Sequence, residues 1–252
     1  MHDLNELLDL TKEVALKVGN NILEHNDPEY KSYVFSSKYH KEVKSLADTI
    51  IEKDILKQLT LTGLPILSEE SGYLPNKHES GYYFILDPLD GTFNFVRGLG
   101  PCAVSIALWD NNKPVFGVIY DLLTKHLIYG GAMFGAYCDG KKIKVSSIEN
   151  KEEAPICTGF PVRFDVKSDE TMKGFWNMVR PYAKVRMLGS AAMSLVNVGK
   201  GAAEVYSEKN IMLWDVAAGI AIVDGAGGVY KMNEATDKWS YDVTASNGRF
   251  SI

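Results

Sequence analysis

No apolar run in this 252-residue sequence approaches the roughly 18 residues that a bilayer-spanning helix needs. The first residues, Met1 to Glu6, carry acids and lack a basic stretch ahead of an apolar one, so they do not read as a secretory leader. Cysteine is scarce. Cys102, Cys138 and Cys157 are odd in number and show no CxxC spacing, which excludes a disulfide framework and reads as reduced thiols of a cytoplasmic chain. Positive charge is not in excess either: 27 Lys+Arg stand against 32 Asp+Glu, a net −5. Nucleic acid, which recruits basic patches, is therefore not the expected partner. An anionic small substrate stays admissible, because a bound divalent cation reverses the local sign. The five histidines, His2, His25, His40, His78 and His126, sit in polar segments without metal-ligand spacing, and the sequence assigns them no role. There are no repeats, low-complexity tracts or Pro/Gly-rich linkers.

What is present is an ordinary globular balance, 46% hydrophobic and 23% charged, in a length that suits one large domain or two small ones sharing a core. Leu4, Leu7, Leu8, Val14, Val18 and Ile22 form a helical stripe over residues 4 to 24. A second helix is expected from about 46 to 60, and the polar stretch from Asn26 to Lys44 between them reads as a loop. From residue 82 the period becomes strand-like. Tyr82 to Leu86 stops at Asp87-Pro88, and Ala103 to Trp109 pairs with Pro114 to Tyr120 across a hairpin signal. Leu127 to Gly131 and Ala136 to Val145 continue the sheet through a turn at Asp139-Gly140. Beyond 145 strands and helices alternate, with strands at 156–160, 184–188, 203–206 and 229–232 and helices at 168–180, 190–198 and 211–224. The expected class is thus mixed α/β (α+β). Residues 1–145 supply helices and an antiparallel sheet, residues 146–252 an α/β layer, and the two pack as one unit.

The most informative segment is Asp87-Pro88-Leu89-Asp90-Gly91-Thr92. Pro88 fixes φ and Gly91 opens backbone conformations closed to other residues, so the chain is expected to turn there. A turn brings Asp87 and Asp90 within about 7 Å at Cα, close enough to share one cation or bridge two. An Asp-Pro-x-Asp-Gly string is also an ordinary surface turn. Two further features weigh against that reading: Ser68-Glu69-Glu70-Ser71 follows an apolar run upstream, and Asp215 lies in the apolar stretch Ile211 to Val223. A carboxylate there is costly to bury unless it is paired or bound to metal.

Taken together, Glu69-Glu70-Ser71, the D-P-L-D-G-T of 87–92 with Asn94-Phe95, Ala103-Val104-Ser105-Ile106, Gly189-Ser190-Ala191-Ala192 and Trp214-Asp215-Val216-Ala217-Ala218-Gly219 resemble the inositol monophosphatase-like, lithium-sensitive, magnesium-dependent phosphatases. The match runs in order over nearly the whole chain. It implies a layered αβαβα sandwich, a cytoplasmic homodimer, two or three Mg²⁺ ions and a small phosphorylated substrate, with no membrane or nucleic-acid partner. It further implies that Glu69, Asp87 and the Leu89 carbonyl hold the first, activating magnesium. Asp87, Asp90 and Asp215 would hold the second. Thr92 and Asp48 resemble the pair that positions and deprotonates the attacking water, with Glu69 also counted among the catalytic groups. Gly91, Thr92, Ser190 and Ala191 would offer donors to the phosphate, near expected helix starts that favour anions.

On spacing alone, Asp48 three residues after Ser45 is a capping box; the resemblance raises it to a catalytic candidate. Glu70 reads as a partner of the ligands. Trp214, Phe93 and Phe95 read as core packing. Glu208, seven residues before Asp215, matches the position where inositol monophosphatases contact substrate hydroxyls, although Ser207-Glu208-Lys209-Asn210 alone would pass for an exposed polar loop. Phe93-Asn94-Phe95 and Thr158-Gly159-Phe160-Pro161 follow the inositol phosphatases rather than the 3′(2′),5′-bisphosphate nucleotidases, the rival within the family. A non-catalytic metal-binding scaffold on the same fold is the rival of another class.

Overall fold

The computed structural model describes residues 3–24, 28–36, 42–76 and 81–250. His2, His25, His40 and His78 lie outside them. In chain order the elements are α1 (Leu4–Glu24), β1 (Tyr33–Phe35), β2 (Val43–Ser45), α2 (Leu46–Leu59), β3 (Ile66–Ser68), β4 (Gly72–Leu74), β5 (Tyr82–Asp90), α3 (Thr92–Arg97), β6 (Ala103–Asp110) and β7 (Lys113–Asp121). They continue with β8 (Leu127–Gly131), β9 (Gly135–Cys138), β10 (Lys141–Lys142), β11 (Pro155–Cys157), α4 (Asp169–Val179), β12 (Lys184–Arg186), α5 (Ala191–Gly199), β13 (Val205–Met212), α6 (Leu213–Gly225), β14 (Val229–Glu234) and β15 (Ser240–Ser246).

Eight strands form one sheet in the order β10-β9-β8-β7-β6-β5-β3-β4, antiparallel except where β3 runs parallel to β5. Five form a second, β12-β11-β13-β15-β14, with β11 parallel to both its neighbours. Side chains alternate across each sheet. Phe84 and Leu86 of β5 therefore meet α1 and α2 through Val14, Ile51 and Ile55, whereas Ile85 meets Ala217 and Ile222 of α6. In the second sheet Tyr206 faces Ile220 and Val223 of α6, and Val205 faces Val179 of α4. The layers run α1/α2, large sheet, α5/α6, small sheet, α4: the expected αβαβα sandwich. Helix α6 lies between two sheets, which is why it is apolar all round.

The structure differs from the sequence reading in several places. The 26–44 stretch is not only loop, since β1 and β2 pair as a short antiparallel ladder around residues 37–41, which are not described. Strand β5 does not end at Asp87. It continues to Asp90, opposite Ala103, with its register shifted between Asp87 and Asp90, so a bulge rather than a turn brings the two acids together. Strand β13 runs on through Glu208 to Met212, because its polar residues pair with β15. Strand β15, which the sequence reading does not assign, lies inside its sheet between β13 and the edge strand β14. Phe95 and Trp214 do pack against the core, but Phe93 is exposed, edge-to-face with Tyr33 at 6.5 Å between ring centroids.

Candidate active site

The site assembles where β5 leaves the sheet and two helices begin. The bulge holds Asp87 and Asp90 inside, at 2% and 7% exposure. Asp87 Oδ1 accepts the Leu89 N–H at 2.9 Å. Gly91 follows with φ +85°, and a Cβ there would meet the Pro101 and Gly189 carbonyl oxygens at 3.0 and 3.1 Å, so only glycine lets α3 start so close to its neighbours. Glu69 follows β3, next to β5, and Asp215 is the third residue of α6. One carboxylate oxygen from each of Glu69, Asp87 and Asp215 lies within 4.8 Å of the others.

Asp48 does two jobs. In the first turn of α2 its Oδ2 accepts the Ser45 N–H at 2.8 Å and the Ser45 hydroxyl at 2.6 Å, the capping box expected from spacing. Its Oδ1 accepts the Thr92 hydroxyl at 2.9 Å, and the same Oγ1 is 3.0 Å from the Leu89 carbonyl. One turn further along α2, Glu52 is buried and accepts from the Ser68 hydroxyl at 2.5 Å and from the Ser71 N–H and hydroxyl at 3.0 and 2.8 Å. It ties both sides of the Glu69 segment to α2. The sequence reading passed over Glu52; its signal was an acid at i+4 from Asp48 on the inward face. Glu70 points to Lys44 instead, at 2.7 Å.

Across the cleft, Asp90 caps α5. Its Oδ2 accepts the Ser190 hydroxyl and the Ala192 N–H (2.9 Å), and its Oδ1 the Ala191 N–H at 3.3 Å. The donors that the resemblance gave to phosphate at Ser190 and Ala191 are thus engaged with Asp90. Glu208 is no exposed loop acid. It is 8% exposed on β13, and Gly159 lies so near that a Cβ there would stand 2.8 Å from its Oε1. Glu69, Asp87, Asp90, Thr92, Ser190, Glu208 and Asp215 all line one cleft of about 230 Å³, together with Phe160, Pro161, Val162 and Ile211, which the sequence reading did not place there.

No lysine or arginine is among the described residues that line this cleft. Burial, then mutual repulsion, pushes Glu69, Asp87 and Asp215 well above the usual carboxylate range. Burial raises Asp90 to about 6 despite its hydrogen bonds to α5, and raises Glu208 to about 8, with the Asp90 charge adding to it. Asp48 is also raised by burial, against the pull of Ser45 and Thr92. Such a set of hard oxygens, without a cationic side chain, fits a divalent ion of the magnesium kind.

The pH dependence follows from the sign of these shifts. A carboxyl whose folded pKa is raised binds more protons folded than unfolded. Its contribution is present below the unfolded pKa and is lost as pH rises towards the folded one. Without divalent cations the melting temperature is therefore expected to fall as pH rises from the ordinary values of 3.8 and 4.5 through about 6 and about 8. Magnesium, binding the ionised folded form, is expected to raise it more at the alkaline end. Scanning calorimetry checks both; a melting temperature that climbs across this window without metal contradicts the strain assigned to the cluster.

A layered sandwich with a carboxylate cluster at a strand end and helix starts facing it is the architecture of a metal-dependent phosphatase. The chain belongs to the inositol monophosphatase family, whose profile matches residues 3–248. It is 32% identical over 235 residues to the fructose-1,6-bisphosphatase/inositol-1-monophosphatase of Aquifex aeolicus, covering 92% of this chain and 88% of that protein. The crystal structure of the extragenic suppressor protein suhB from Bartonella henselae superposes with a TM-score of 0.84 at 30% identity, over 97% of this chain and 95% of that one. The inositol monophosphatase of Anabaena gives 0.81 at 31%, over 98% and 93%. No described helix is long and apolar enough to cross a membrane.

Proposed function

We propose that the chain is a magnesium-dependent phosphomonoesterase that hydrolyses a small polyol or sugar phosphate, inositol monophosphate foremost, and works as a homodimer. The observation that carries the reading is the convergence of Glu69, Asp87 and Asp215 in a cleft that Thr92 and Glu208 also line. Glu69, Asp87 and the Leu89 carbonyl would hold one ion, and Asp87, Asp90 and Asp215 another. Magnesium bound there supplies charge neutralisation for the phosphoryl oxygens and a lowered pKa for the attacking water.

The rest falls to the chain's own groups. The Thr92 hydroxyl donates its hydrogen bond to Asp48, which leaves its lone pairs to orient a water; as Thr92 Oγ1 accepts that water's proton, its own hydroxyl proton passes to Asp48, a net transfer of one proton. Ser45 holds Asp48 in place for that transfer. Gly91 and Thr92 at the start of α3, and Ser190 and Ala191 at the start of α5, flank the position of the phosphate. An anion there shares the α5 donors with Asp90, so substrate binding and the Asp90 cap are coupled.

Glu208 is the group expected to read the substrate's hydroxyls. Glu208→Gln should lower kcat/KM for inositol 1-phosphate about tenfold or more, since charge-assisted hydrogen bonds are worth roughly 1.5–3 kcal/mol each. The loss should be fullest above pH 8, where the wild-type carboxyl is ionised. A small generic ester without those hydroxyls should hardly change. Equal losses on both esters would make Glu208 structural, and a greater turnover of adenosine 3′,5′-bisphosphate than of inositol 1-phosphate would favour the nucleotidase reading.

A further inference from the structure

The far part of the large sheet holds a second group of metal-ligating side chains, three and four strands away from β5. Ile128 of β8 pairs with Cys138 of β9, so His126, two residues before Ile128, falls on the same side of the sheet as Cys138. Asp139 follows in a left-handed conformation, φ 53° being the value at Asn111 and 47° here. It is fixed to the neighbouring strand from both ends: its N–H donates to the Leu127 carbonyl, and its Oδ1 accepts the Leu127 N–H, each at 2.9 Å. The free oxygen, Oδ2, lies 2.5 Å from His126 Nδ1. One ligand atom from each of His126, Cys138 and Asp139 lies within 4.8 Å of the other two.

An exposed ion pair accounts for the histidine and the aspartate but not for the thiol brought to the same point. Nitrogen, sulfur and oxygen donors together suit a borderline ion, whereas magnesium prefers oxygen alone. Zinc bonds of about 2.0–2.3 Å in a tetrahedron put ligand atoms roughly 3.3–3.8 Å apart, within the 4.8 Å limit that the three atoms meet, and the 2.5 Å His126–Asp139 pair opens by about 1 Å to admit the ion. His126 and Asp139 are about half exposed, at 54% and 46% of their side chains, so an ion can enter from solvent. None of the three lines the carboxylate cleft.

We propose that His126, Cys138 and Asp139 form a second metal site, selective for a zinc-like ion, with its fourth position open to water. On binding, the ion replaces the Cys138 thiol proton and the proton held between His126 and Asp139, and both are released to solvent. The bound ion clips the start of β8 to the end of β9, and the site is independent of phosphate-ester hydrolysis.

The test titrates the full chain with Co²⁺, a spectroscopic substitute for zinc, while excess Mg²⁺ occupies the carboxylate cleft. The expected result is one equivalent bound with a thiolate-to-cobalt charge-transfer band that Zn²⁺ abolishes. Cys138→Ser should lose the band, and His126→Ala or Asp139→Asn should weaken binding at least about tenfold. Magnesium-dependent phosphate release by His126→Ala should match wild type. No charge-transfer band in the wild type, the same band in Cys138→Ser, or unchanged affinity in both other variants leaves only a surface ion pair and overturns the proposal. A parallel loss of phosphatase activity in His126→Ala overturns its independence.

Discussion

Asp90→Asn is expected to reduce magnesium-dependent turnover by about three orders of magnitude while leaving the protein folded. A metal ion supplies several kcal/mol of transition-state stabilisation, and each 1.36 kcal/mol is tenfold in rate. The amide removes the charge that would hold the ion on the α5 side of the cleft. It keeps one oxygen for the Ser190 hydroxyl and the Ala192 N–H, which share Oδ2, while the new NH₂ takes the place of Oδ1 and costs only the 3.3 Å contact from the Ala191 N–H. The structural cost should therefore be limited to about 1–3 kcal/mol, the loss of one good acceptor. Circular dichroism and phosphate release, read side by side, separate the two effects. Activity near wild type at saturating Mg²⁺ would contradict the ligand role, and an unfolded variant would show that Asp90 serves α5 before it serves any metal.

Asp48→Asn is expected to lower kcat by about 10²–10⁴, the usual worth of a positioned general base, with little change in KM. The amide can still cap α2, so stability should fall by no more than about 1 kcal/mol. Thr92→Val should reproduce the kcat loss from the other end of the hydrogen bond, and the double variant should be no worse than either single one, because the pair acts as a unit. Additive losses would mean that Asp48 and Thr92 act separately, and the proton path drawn through them would be wrong.

Much of this arrangement was legible in the residues. The apolar stripes of α1 and α2 and the β6–β7 hairpin announce themselves by period, and Asp215 stands out because a carboxylate in an apolar helix needs a reason to be there. That reason is its place in the first turn, where α6 opens into the cleft. What period could not show depends on pairing across long stretches of chain. Glu208 sits among polar residues that read as loop, yet β15 pairs with that segment and turns Glu208 inward. The bulge that joins Asp87 to Asp90 is a register shift against β6, and the local Pro and Gly signals looked like a turn instead. Likewise Ser190 and Ala191 resemble phosphate donors in sequence, but their engagement with Asp90 exists only once residues a hundred positions apart meet. His126 shows the same limit, since its partners at 138 and 139 have no ligand spacing along the chain.

The central claim, that the carboxylate cluster makes this chain a magnesium-dependent phosphatase, is tested most directly by phosphate release from inositol 1-phosphate as Mg²⁺ is titrated into metal-free protein. The account predicts no turnover without the cation, a saturable rise with it, and loss of that rise in Asp90→Asn. Release that is indifferent to Mg²⁺ and to chelator, or no release from any phosphate ester at saturating Mg²⁺, would contradict it.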